Sequence, residues 1–401
     1  MVAYTDFVRL SQSSDSEERG GAAHFAAMAY LNHQGPADEQ AALYAALINF
    51  LDDPSVKVRA ALAYGLLHAN NAPRPIMLAL LHDSSVIARA VLQYSPVLID
   101  ADIMGLVRNF DLPMLVALCQ RATISERLAA ALIVRQERSV TLRLLRRADV
   151  CLGAVVLQQL AQSDGEDAEL RGALLARGDL PAGSRALLVQ KVAVALSGAR
   201  IVKGALASDR LERLLRNSGD TALSTIGERE AVKAQTAFAA GLIGADQLNT
   251  RLLLHAVVTG HVMFFADCLA ELSQTPRDKV FSLLENGSRS ALNALLTRCG
   301  LGEGMRTLFA KLVMHARAAD LADDAAARHY VVTALTEELI VDHDGVIPAE
   351  LEEAFAYLSE QNVQLARKAA RGVMAAFAGT TNAPLALPLP FIDERLALPA
   401  A

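Results

Sequence analysis

The residues able to carry chemistry are present, but their spacing does not assemble a reactive site. Among nine histidines, His255 and His261 lie close together. A helical zinc pair needs histidines at i and i+4 with an acid nearby. A separation of six turns the two rings toward different faces at 3.6 residues per turn. His315 and His329 flank Asp320, Asp323 and Asp324 without compact ligand spacing, so solvated or core histidines are expected and no metal. Asp342-His343-Asp344 invites comparison with metal hydrolases, but no further His and Asp framework accompanies it, and a turn rich in capping residues is the expectation. Gly300-Leu301-Gly302-Glu303-Gly304 follows a helical pattern instead of a strand, and its third glycine comes one position too early for a dinucleotide fingerprint. Neither a GxSxG nor a Walker A motif occurs. Cys119, Cys151, Cys268 and Cys299 form no CxxC pair and show no local nucleophile signature, which points to structural thiols in a reducing compartment. No catalytic residue, cofactor or metal ligand is therefore assigned, and the chain is expected not to be an enzyme.

The elements that would position any site are helices. Ala, Leu, Arg and Glu dominate, and strand-type alternation of Val, Ile, Thr and aromatics is absent. The helices are short and regularly punctuated by Asp52-Asp53-Pro54-Ser55, Asn70-Asn71-Ala72-Pro73, His82-Asp83-Ser84-Ser85 and Asp179-Leu180-Pro181. The punctuation conceals a repeat. The segment from Leu51 to Leu62 aligns without gaps on Leu81 to Leu92, an offset of 30, with seven of twelve positions identical. Leu145–Val150 aligns on Leu175–Leu180 at the same offset, and Leu118–Ile124 reads as a degenerate copy between them. In each unit a helix ends in Leu, Asp53 or Asp83 caps the next helix, and Val56 begins an apolar stripe continued by Ala60 and Leu62. Two helices cannot bury both apolar faces alone, so stacked pairs forming an α-solenoid are expected. Arg59 and Arg89 share one repeat position. A row of binding cations is one reading; the reading preferred here is that each ties its turn to a neighbouring repeat through Asp or backbone carbonyls.

The Leu-x-Asp-Pro-x-x-x-Val-Arg-x-x-Leu pattern at Leu51–Leu62 resembles HEAT-like repeats. The wider order resembles an uncharacterised, mainly alphaproteobacterial family, domain of unknown function 2336. Asp53–Arg59, the Ala88–Leu98 stretch with its Ser95-Pro96-Val97-Leu98 element, Leu175–Pro181, Leu252–Leu272 and Lys279–Leu284 carry that resemblance. It spans most of residues 36–315 and implies a fold without implying a chemistry. Asp111–Arg138 matches the repeat poorly.

The expected architecture is all-α: an N-terminal helical cap at 1–35, a HEAT-like solenoid at 36–200, a second helical domain at 201–320, C-terminal helices at 321–378 and a Pro-rich tail at 379–401. A break between helices is expected at Arg216-Asn217-Ser218-Gly219-Asp220, and a long helix from Pro348 to Phe377 with a stripe through Leu351, Phe355, Leu358, Leu365, Ala369, Val373 and Phe377. The tail holds Leu387, Leu389, Phe391 and Ile392 among prolines. It reads either as a flexible tail or as a linear motif docking into a groove of this protein or of a partner.

The bulk composition limits function. Net charge is −6, with 38 basic and 44 acidic residues, and there is no Trp. Non-specific nucleic-acid binding needs a basic surface. The longest apolar runs are broken before they reach a bilayer span, and the N-terminus has no signal-peptide pattern, so a cytoplasmic protein without membrane insertion is expected. The leading expectation is a non-enzymatic scaffold or signalling adaptor binding a protein or peptide on a concave solenoid face. The alternative is a HEAT-like nucleic-acid-binding or glycosylase-type repair protein, disfavoured by the charge and the missing Trp.

Overall fold

A computed structural model of the chain describes residues 4–319 and 325–380. Within them are 23 α-helices, one short 3-10 turn and no strand. The tail residues Leu387, Leu389, Phe391 and Ile392 lie outside the described residues. The chain divides into two compact units, Met1–Lys191 and Val192–Ala401.

In the first unit alternate helices pack on one another. Ser16–Asn32 packs on Val56–Leu66, which packs on Ser85–Tyr94, then Leu112–Cys119, Arg138–Leu145 and Ala168–Ala176. The intervening helices include Ala37–Leu51 and Arg74–Leu81, which also pack on each other. One apolar core runs from Ala22 to Leu188 through both sets. Small residues set the closest approach. A Cβ on Gly65 would lie 2.6 Å from the Cβ of Ala27, closer than such atoms approach, so Gly65 lets two helix backbones come together.

The stripe of the repeat helix is not the one expected. Val56 and Val86 are 45% and 62% exposed, while Val58, Leu62 and Leu66 are fully buried. Val56 is the first helical residue and points away from the core; the buried face starts two residues later and recurs at i+4. In the next repeat Ile87, Ala88, Val91 and Leu92 take that role. The poorly matching stretch Asp111–Arg138 forms Leu112–Cys119 and Glu126–Ile133, and the first of these occupies its place in the row.

In the second unit one helix, Ser208–Val232, runs straight through the polar stretch where a break was expected. Asn217 and Asp220 continue the helix because their side chains meet Arg251. Thr250–Val258 and Val262–Ser273 pack on it, and Ala325–Asp342 packs along the C-terminal helix Ala349–Thr380. Leu351, Leu358 and Leu365 are buried as expected of their stripe; Phe355 is half-buried, and Tyr357 and Gln361 join the buried face. The turn between these two helices places Asp344 and Gly345 at φ 48° and 81°, a left-handed pair that closes a helix end.

Candidate functional site

Two sets of arginines brace the row of the first unit. The first set sits at helix N-termini. Arg19 holds Asp53 through Nε (2.8 Å) and Nη2 (3.2 Å), and its Nη1 donates to the Ser13 carbonyl. Arg59 repeats this: Nε and Nη2 hold Asp83 at 2.6 and 2.9 Å, and Nη1 donates to the Asp53 carbonyl at 2.7 Å. Arg138 holds Asp167 and Glu169. These bidentate pairs keep the Asp53 and Asp83 carboxyls below the usual range and Asp167 at about 2, the arginine hydrogen bond being the largest cause in each. Asp53 in turn accepts from the Ser55 backbone N–H, so one carboxylate joins two repeats and orders its own turn.

The second set sits at helix C-termini, where carbonyls lack intrahelical partners. Arg121, buried, donates to the carbonyls of Leu92, Ser95 and Leu98 at 2.5, 3.1 and 3.2 Å. The Ser95–Leu98 element is thus a turn clamped by an arginine from the next helix in the row. Arg147 does the same for Cys119 and Arg121, and Arg177 for Leu145, Arg147 and Val150. Sequence reasoning missed this set, although Arg147 and Arg177 stand at matched positions of the aligned pair and Arg121 stands in the degenerate copy.

Arg89 departs from the pattern. It shares the register of Arg59, but among the described residues its side chain bonds only the Ser85 carbonyl, from Nε at 3.1 Å, and joins no ion pair. Arg89 lines a groove of about 530 Å³ between Ser85–Tyr94 and Leu112–Cys119, walled by Val86, Tyr94, Leu112 and Val116 and flanked by Gln93 and Gln120. Apolar exposure on this face follows the repeat. Val56 and Val86 are exposed at one offset of 30 residues, and Tyr64 and Tyr94, 70% and 48% exposed, at the same offset. Each tyrosine packs beside a histidine, His24 with Tyr64 and His68 with Tyr94, at ring separations of 5.7 and 5.2 Å. A second cavity of the unit, about 560 Å³, is lined by Arg138 and Asp167, which already satisfy each other.

A model of a bacterial protein family, described as an uncharacterised protein conserved in bacteria (domain of unknown function 2336), matches residues 87–344. The chain belongs to this family. No curated protein and no solved structure matches it. The family segment begins at Ile87, inside the first helix of the groove, and so takes in Arg89 and the arginines 121, 147 and 177.

In the second unit the family segment contains a buried polar network. His255 is held between Tyr357 Oη, 2.8 Å from Nδ1, and Thr221 Oγ1, 3.1 Å from Nε2. Thr221 spends its hydroxyl proton on the Asn217 carbonyl, so Nε2 donates to Thr221 and Nδ1 accepts from Tyr357, which is the neutral imidazole. Burial, reinforced by His261 and Arg251, pushes His255 down to about 4. Arg251 lies over the Tyr357 ring at 4.8 Å and binds Asp220 at 2.8 Å. Burial pushes the Asp220 carboxyl up, with Arg251 opposing it. The adjoining cavity, about 60 Å³, has room for little more than water.

Asp320, Asp323 and Asp324 lie outside the described residues and Cys151 is exposed; other chemical candidates make structural contacts. His261 bonds Thr259, and His315 pairs with Glu338. Asp342 pairs with Lys311, which holds its carboxyl below the usual range. Among the described residues no three His, Cys, Asp or Glu side chains gather where they could hold a metal. Gly302 caps Glu303–Ala316, and Gly304 makes room for Glu350. Burial raises the Cys119 and Cys299 thiols to about 11 and the Cys268 thiol further, which keeps them protonated and unreactive. No helix among the described residues is long and apolar enough to cross a membrane.

Proposed function

We propose that this family member is a non-enzymatic interaction scaffold or signalling adaptor, its first unit a HEAT-like α-solenoid that binds a protein or peptide in the groove between Ser85–Tyr94 and Leu112–Cys119. The observation carrying this reading is the repeated exposure of Val56 and Tyr64, then Val86 and Tyr94, on helices whose other large apolar residues are buried. Leaving two large apolar side chains in water at the same repeat positions forgoes about 1.5–3 kcal/mol of burial for each. A folding role does not account for it, whereas apolar and aromatic anchors on a surface are what binding partners use. The helix packing of the first unit, each row helix on its next-but-one neighbour, supports a reading as stacked helix pairs.

Selection of a random-peptide phage library on the full chain tests this. Related peptides should enrich on the wild type and be lost on Tyr94→Asp, while Tyr330→Asp, at an exposed tyrosine of the second unit, should leave selection intact. No enrichment, or enrichment indifferent to Tyr94→Asp, would sink the reading.

A further inference from the structure

The arginine pattern also identifies a property of the groove's occupant. Arg19, Arg59 and Arg138 each receive a carboxylate from the turn that starts the next helix of the row. Arg171, in the last row helix, is buried on the carbonyls of Gly165 and Glu166. Among the described residues Arg89 receives no carboxylate, and its Nε donates only within its own helix, to the Ser85 carbonyl. The acid that precedes the next row helix, Asp111, caps its own helix, Oδ1 accepting from the Met114 N–H at 2.9 Å, and among the described residues it forms no ion pair with Arg89. Among the described residues Arg89 Nη1 and Nη2 therefore have no partner, and Arg89 lines a groove whose other lining residues are uncharged. A guanidinium is a planar fork of donors that matches a carboxylate through two parallel hydrogen bonds. Apolar walls strengthen that match, because water competes less there.

We propose that the groove takes a peptide segment carrying an Asp or Glu side chain. Its carboxylate pairs with Nη1 and Nη2 of Arg89, a different edge of the guanidinium from the Nε and Nη2 edge by which Arg59 holds Asp83. Neighbouring apolar side chains of the peptide lie on Val86, Leu112 and Val116, and Gln93 and Gln120 bond its backbone. One cation among aliphatic walls suits a single carboxylate beside apolar side chains; a nucleic-acid backbone is held by many cations. The inference rests on the groove being a peptide site.

An array of peptides selected on the wild type, all with amidated C-termini, separates the two claims. Each acidic position is replaced in turn by Asn or Gln, Lys, or phosphoserine, and binding of the full chain is measured. Acidic members should bind about tenfold better than their amide counterparts. Arg89→Gln should erase that difference, and Arg89→Glu should shift preference toward Lys. The carboxylate assignment falls if wild type binds acid and amide members equally, if phosphoserine members bind best, or if Arg89→Glu still prefers acids. Binding that is lost on Tyr94→Asp but blind to the charge at 89 would keep the groove and remove the carboxylate. Absence of any peptide binding would remove both. A helical far-UV spectrum and an unchanged urea midpoint for Arg89→Gln show that the variant is folded.

Discussion

Single arginines and one histidine hold the strongest local leverage in this protein. Arg121 satisfies three carbonyls that would otherwise be stranded at a buried turn. Arg121→Ala should lower the urea-unfolding free energy by about 2–4 kcal/mol, since charged hydrogen bonds contribute more than neutral ones and the carbonyls are left unpaired. Arg121→Lys should recover only part of the loss, because an ammonium lacks the spread of donors that spans Leu92 to Leu98. His255 sets a pH dependence. Its folded value of about 4 lies below the ordinary 6.5, so the unfolded chain binds the extra proton first. Its contribution is therefore whole above pH 6.5, declines as pH falls to about 4, and amounts to about 3 kcal/mol over that window. Urea titrations between pH 7 and 4 should show this slope in the wild type, and His255→Gln should flatten it. The slope would not distinguish His255 from Asp53 and Asp83 below pH 4, where their lowered carboxyls protonate and release Arg19 and Arg59.

At the scale of elements, close helix contacts depend on which glycines face a neighbour. A Cβ on Gly227 would lie 2.1 Å from the Phe264 ring, whereas one on Gly219 of the same helix meets nothing within 4 Å. Gly227→Ala should cost about 1–3 kcal/mol by overpacking. Gly219→Ala should stabilise by about 0.5–1 kcal/mol by raising helix propensity. Thermal melts of the pair give opposite signs if Ser208–Val232 packs on Val262–Ser273 as described. Both glycines sit in helical sequence, and nothing local separates them. The same helix shows why the break expected at Arg216–Asp220 did not occur: a polar run reads as a turn until a partner such as Arg251, thirty-one residues from Asp220, makes it interior.

At the scale of the whole molecule, the core from Ala22 to Leu188 closes within the first unit. A chain ending after Gly198, the last residue of helix Ala182–Gly198, should therefore fold by itself. It should show helical circular dichroism and a single cooperative urea transition. A gradual, non-cooperative loss of signal would mean that the first unit depends on the rest of the chain. On the proposed solenoid reading, each helix pair of the row is stabilised by its neighbours. The arginine clamps add to this, since each bridges one turn to the next.

Helix content, the absence of strands among the described residues and many of the helix ends were legible in the sequence, because propensity and capping act over a few residues and leave their record there. The structural placement of Asp53, Arg59 and Asp83 was partly legible too, since a repeated position implies a repeated neighbour. Three things were decided only by tertiary structure. Val56 and Val86 face solvent although their type suggests core. Arg89 lacks the acid that its counterpart Arg59 holds. His255 meets Tyr357 across 102 residues of chain. The physical reason is common to all three: burial and charge pairing depend on what a distant segment brings to the same place, and one-dimensional pattern carries no trace of that until the chain is packed.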